Sequence, residues 1–211
     1  SSSMRNLPKE SFCVVNVAGK PLPFRGKRNL FNTDQYYTVE VPQSDGTVKR
    51  YKGIDYILAH APMDIIVIDD CQYLMANAYM RRSGEKGFQK FTDIGKDFWQ
   101  MIDCIKRLPD QKVVYLMAHT ETGEDGTEKC KTIGKLLDEK ITVEGMFSVV
   151  LKAVCTEGRY VFRTRNNGHD TVKSPMGMFE EEEIDNDLAL VDAAIRRYWL
   201  EEETEDEQTE E

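Results

Sequence analysis

The run DIIVIDD, residues 64–70, constrains this chain most: four successive aliphatic residues lead into paired carboxylates, Asp69 and Asp70. A strand that is apolar at every position must be covered on both faces, which a sheet with one solvated face cannot provide. The run therefore predicts a buried strand of a parallel sheet. FCVVNVAG, from Phe12, and KVVYLMAHT, residues 112–120, have the same character. Residues 92–108 read as a helix, because Ile94, Phe98, Met101, Ile105 and Leu108 recur at steps of 4, 3, 4 and 3. Strands alternating with helices over the first two-thirds predict an α/β fold, a mostly parallel sheet flanked by helices.

Other segments fill in around that frame. SSSMRNL reads as a helical stub ended by Pro8. YYTVEVPQSDGTVKRY reads as a β-hairpin around Ser44, Asp45 and Gly46. A polar hairpin is expected at Glu124, Asp125 and Gly126, followed by a short helix in TIGKLLDEKI. SVVLKAV and RYVFRTR form two strands joined at Glu157 and Gly158, a hairpin near the C-terminus expected to extend the sheet antiparallel. Leu188, Val191, Ile195 and Tyr198 mark a last amphipathic helix.

At 211 residues the chain has room for one domain with a sizeable core, or for a domain and a small appendage. Hydrophobic residues at 40% and charged residues at 31%, with 7 Pro and 14 Gly, exclude a collagenous or wholly disordered chain. No apolar run approaches the roughly 20 residues of a membrane span. No apolar leader is visible at the N-terminus, and the expected location is the cytoplasm. The net charge of -9 is unevenly placed. Eight of the 37 acids lie in residues 201–211, leaving 29 acids against 28 bases in the rest. The body is nearly neutral, and the tail reads as solvated and disordered. Five dispersed cysteines suggest neither a disulfide frame nor a zinc knuckle, and two lie in apolar strand-like runs where they pack as small hydrophobes.

The acids at the end of the 64–70 run carry the chemistry. Ligands of open parallel sheets bind outside the carboxyl ends of the strands. A hydrophobic strand ending in Asp69 and Asp70 has the Walker B pattern, in which the first acid holds Mg²⁺ and the second orients an attacking water. Magnesium takes hard oxygen ligands, and carboxylates supply them. The alternative is a buried strand that runs into an acidic loop. The phosphate cradle that a Walker B acid serves, GxxxxGK[ST], is missing: none of Gly19-Lys20, Gly26-Lys27, Gly95-Lys96 and Gly134-Lys135 fits it.

From Asn6 to about Trp199 the chain resembles phage P-loop ATPases with a RecA-like, AAA-type core, including ATP-dependent single-strand annealing proteins. The resemblance is carried by FCVVNVAGKPLPFRG, DIIVIDDCQYLMANAYMRR, KGFQKFTDIGKDFW, VVYLMAHTETGEDG, KTIGKLLDEKITVEGMFSVVLKAV and RNNGHDTVKSPMGMF. It implies a core over residues 1–200, with the acidic tail at 201–211. In that family the P-loop and its strand precede the segment matching SSSMRNLP, so the chain looks like a member beginning just after the Walker A lysine. Ser1, or Ser2, then matches the hydroxyl that ligates Mg²⁺, and Asp69 the metal-binding acid. Asp70 matches a second, catalytic acid.

His119 and Thr120 end the next strand, where a polar sensor of the γ-phosphate is placed; a strand-end cap is the alternative. Arg163 and Arg165 close the last strand and match bases that reach a neighbouring subunit's nucleotide, in the manner of an arginine finger; a solvated strand end is the alternative. RecA-like proteins carry a catalytic Glu after their second strand. VVNVAGKP has no acid, which shifts that burden to Asp70.

The resemblance implies ATP and Mg²⁺ as cofactors. It also implies single-stranded DNA, a homo-oligomeric ring or filament and a single-strand-binding protein as partners, and the host cytoplasm as the location. The basic loop from Lys20 to Arg28, with Phe24, suits a DNA strand, and equally a solvated or subunit-contacting surface. Two other functions compete: a non-hydrolysing assembly module on the same core, and a metal-dependent phosphoesterase using Asp69 and Asp70.

Overall fold

The computed structural model describes residues 1–134, 137 and 140–200. The acidic tail and four of the ten residues of the helix expected in TIGKLLDEKI, 135, 136, 138 and 139, lie outside the described residues.

Four strands form one parallel sheet: β1 (Phe12–Asn16), β2 (Asn29–Phe31), β5 (Ile65–Asp69) and β6 (Val113–Leu116), in the order β2-β1-β5-β6. Every residue of β1 and β5 is buried. Side chains alternate between faces along a strand, so each strand serves two cores. Cys13, Val15, Ile66 and Ile68 face one layer, formed by α1 (Ile54–His60), α2 (Gln72–Arg81) and α3 (Gln89–Ile105). Phe12, Val14, Ile65 and Val67 face the other, where α4 (Leu188–Leu200) and the 3-10 turn Ser2–Asn6 pack. This two-sided cover is why the strands carry no polar face.

Of the predicted stripe, Ile94, Phe98 and Met101 are buried in α3, with Ile102 beside them, while Ile105 and Leu108 are half-buried, and the helix starts and ends three residues earlier than expected. Helix α1 was not foreseen. Its entry at Gly53 needs glycine, because a Cβ there would meet the Tyr37 carbonyl carbon at 2.3 Å.

The first expected hairpin is present as β3 (Val39–Pro42) and β4 (Val48–Tyr51), exposed along its length. The polar hairpin forms β7 (Thr120–Thr122) and β8 (Glu128–Cys130). The C-terminal hairpin is β9 (Lys152–Thr156) and β10 (Arg159–Arg163), turning through positive φ at Glu157 and Gly158. It does not extend the parallel sheet: it joins β11 (Glu183–Asp185) in a separate antiparallel sheet, order β11-β10-β9. Phe162 of β10 instead packs into the α4 layer. Among the described residues no helix is long and apolar enough to cross a membrane.

Candidate functional site

The pairing of β1 with β5 sets Asn16 opposite Asp69, so the loop leaving β1 and the acids ending β5 meet at one end of the sheet. Asp69 is buried, 5% exposed, and its Oδ2 accepts the Ser1 hydroxyl at 2.6 Å. The next residue leaves the strand abruptly. Asp70 has a φ of 58°, left-handed, and its carbonyl oxygen accepts the Tyr73 N–H at 3.0 Å as α2 begins. Cys71 N–H donates across to the Met117 carbonyl oxygen at 2.8 Å. Asp and Asn are the side chains that best tolerate this conformation.

The turn brings Asp70 against two partners. Lys20 Nζ lies 2.7 Å from Oδ2, and His119 Nε2 lies 3.2 Å from Oδ1. Partial burial pushes the Asp70 carboxyl up, but the hydrogen bond and charge of Lys20, reinforced by His119, outweigh it and hold the carboxyl below its ordinary value. The same hydrogen bond and charge raise the Lys20 ammonium. Asn16 fixes the Lys20 backbone, its Nδ2 donating to the Lys20 carbonyl oxygen at 2.8 Å. Tyr73 stands beside both partners, its ring 5.9 Å from Lys20 Nζ and edge-on to His119.

Ser1, Asp69, Asp70 and His119 thus form a chain of contacts. Thr120 turns away from it and donates its hydroxyl to Glu128 Oε1 at 3.0 Å. Arg163 and Arg165 sit elsewhere. Arg163 Nε is 3.4 Å from Glu183, while Arg165 donates to the Glu180 carbonyl oxygen at 2.8 Å and lies 3.9 Å from Glu182. Asn16 and Tyr73 were not expected as site residues, and Lys20 was expected only in the basic loop, not beside the acids. The signal for Lys20 was available: it follows a buried strand at its carboxyl end, as Asp70 does.

The basic loop is largely committed to its own fold. Arg28 covers the rings of Phe24 and Phe12 at 5.2 and 5.8 Å, so that face of Phe24 is not open for a base, and Arg25 and Lys27 remain exposed. On α2, Arg81 pairs with Asp34 at 2.6 Å, and Tyr79 stacks on Phe91.

Among the described residues, no three His, Cys, Asp or Glu side chains gather as a metal-binding group. What the site holds is an all-oxygen set, the Asp69 carboxylate and Ser1 hydroxyl with Asp70 adjacent. Such a set fits a magnesium ion, which keeps several waters and uses one or two carboxylates. A cleft of 1340 Å³ opens beside the site, lined by Ser1, Cys71, His119 and Thr120 among others. No protein family, curated protein or solved structure matches this chain.

Proposed function

We infer that the chain is the body of an ATP-binding and ATP-hydrolysing protein with a RecA-like core, acting on single-stranded DNA in phage recombination or replication. The observation that carries this reading is the Ser1 hydroxyl on Asp69 at 2.6 Å, at the carboxyl end of a central parallel strand. A hydroxyl and a buried carboxylate at that place are the pair that would hold Mg²⁺, which neutralises phosphate charge when bound. Lys20 and His119 add positive and hydrogen-bonding groups on the same rim. Asp70, deprotonated at neutral pH, is the acid suited to orient a water. In a homo-oligomer, Arg163 and Arg165 would have to leave their acidic partners to serve a neighbouring site.

A second reading, a non-hydrolysing assembly module, is favoured by one observation: the Asp70 charge is already engaged by Lys20 and His119.

The phosphate-binding loop supplies most phosphate contacts in such proteins. The 211-residue chain by itself should therefore bind Mg-ATP weakly or not at all in calorimetry, and a version with a GxxxxGK segment ahead of Ser1 should bind and hydrolyse it. A folded extended version that ignores ATP overturns the reading, and micromolar binding by the present chain would overturn the dependence on that segment.

A further inference from the structure

We propose that the β3–β4 hairpin is a docking site for an extended acidic segment of a partner protein, which adds to the free edge of β4 as a third strand. No residue of the hairpin lines the cleft beside Asp69 and Asp70. Its root is fixed to the body. The Thr38 N–H and hydroxyl both donate to Asp55 Oδ1 at 2.9 Å, and the Gly53 N–H donates to Thr38 Oγ1 at 3.0 Å. Beyond that root every residue of both strands is exposed. A two-stranded hairpin is marginal by itself in water, and a third strand stabilises it. Among the described residues β4 pairs only with β3.

The register separates two faces. Val39 opposite Tyr51 and Val41 opposite Lys49 share one; Glu40 opposite Arg50 and Pro42 opposite Val48 share the other. Val39, Val41, Val48 and Tyr51 belong to neither core and stay exposed. The turn sets which backbone groups are free. The Gln43 N–H donates to the Thr47 carbonyl oxygen at 2.7 Å. Bonded and unbonded pairs alternate from there, so the N–H and C=O of Val48 and Arg50 point outward from β4. On β3 the matching outward position is Pro42, which has no N–H, so β4 offers the better edge.

Charge selects the occupant. Lys49, Arg50 and Lys52 lie along β4 and just past it, with Glu40 3.7 Å from Arg50. Charged edges keep unsuitable strands away, and bases admit an acidic one. A segment that alternates acidic and apolar residues suits both faces. Its acids lie on the side of Arg50 and Lys52, and its apolar side chains extend the face of Val39, Val41 and Tyr51. A nucleic acid strand fits less well. Lys49 covers the Tyr51 ring at 4.8 Å, and Lys52 and Arg50 cover Tyr56 at 4.5 and 5.3 Å, with His60 stacked on it at 4.1 Å. A base would have to displace these groups to stack. The chain's own acidic tail, residues 201–211, has no apolar residue to place beside Tyr51.

The test combines fluorescence anisotropy with residue-level amide hydrogen exchange on the 211-residue chain. The probe is a short labelled peptide alternating Glu and Val. It should bind, while a peptide alternating Lys and Val, or the first peptide with a central proline, should not. The double variant Arg50→Gln, Lys52→Gln should weaken binding roughly fivefold to tenfold at low salt. In the free chain the Val48 and Arg50 amides should exchange faster than those of Lys49 and Tyr51. Saturating peptide should slow Val48 and Arg50 on the order of 10-fold. No binding overturns the proposal, and so does binding without protection, which would be a contact of charges alone. A thymidine oligonucleotide that binds more tightly than the peptide and is weakened by the same variant overturns it in favour of nucleic acid. Val48 and Arg50 already slow in the free chain overturn it as well. Protection that rises with concentration would then put a second copy on the edge, and protection lost on deleting residues 201–211 would put the tail there.

Discussion

The left-handed turn at Asp70 can be weighed by substitution, because it separates the backbone from the carboxylate. At a φ of 58° a Cβ crowds the following carbonyl oxygen, which costs roughly 1–2 kcal/mol for an ordinary side chain. Asp70→Ala keeps the Cβ and loses the carboxylate; Asp70→Gly loses both. The contacts with Lys20 and His119 are gone from each, so the difference between the two variants isolates the turn. Glycine gives back part of its advantage through the freedom of the unfolded chain, about 0.4–1 kcal/mol. The balance leaves Asp70→Gly more stable than Asp70→Ala by about 0.5–1 kcal/mol. For a chain of this length that is a Tm difference of about 1–4 °C. Asp70→Asn, which also tolerates the left-handed region, should sit above Ala. Urea unfolding with equal slopes for all three, supported by calorimetry, reads the order. An alanine variant as stable as the glycine variant would refute the reasoning, since no strain would then be present to relieve.

Other outcomes follow from the same structure. In a version carrying a phosphate-binding loop, Asp69→Asn should weaken magnesium-dependent ATP binding and Asp70→Asn should spare binding but slow hydrolysis; parental rates in both would discard the site. Asp70 has its carboxyl held below the ordinary 3.8, so its contribution to stability is present above that value and fades as pH falls below it through the folded value. The stability difference between the parent and Asp70→Asn should therefore shrink as pH falls below about 4, as followed by urea unfolding across pH. Deleting residues 201–211 removes eight acids and should tighten single-stranded DNA binding by the loop-carrying protein, most at low salt. Fluorescence anisotropy against salt measures it, and equal affinities at low salt would leave the tail without a role at the DNA surface.

Much of the fold was legible in local pattern. The apolar runs at β1 and β5 specified buried strands because burial on both faces excludes polar positions, while the run at β6 forms a strand that is only half-buried. Asp45 with Gly46, and Glu157 with Gly158, marked turns because glycine takes positive φ freely. The periodic residues of α3 marked its buried stripe. Residues 69 and 70 stood out as acids where a strand ends. Three short elements were not legible: β2 and β11 have three residues each, and α1 has seven, too few to express a period.

What the sequence could not decide is which strands of the parallel sheet lie side by side, since that pairing joins residues far apart in the chain and leaves no local trace. Only the β1–β5 pairing brings Lys20 onto Asp70, turning a residue of a basic loop into part of the acidic site. Only packing lays Arg28 over Phe24 and ties Arg163 to Glu183. The C-terminal hairpin was readable as two strands, but its sheet was not, because an antiparallel pair can add to any edge of matching length.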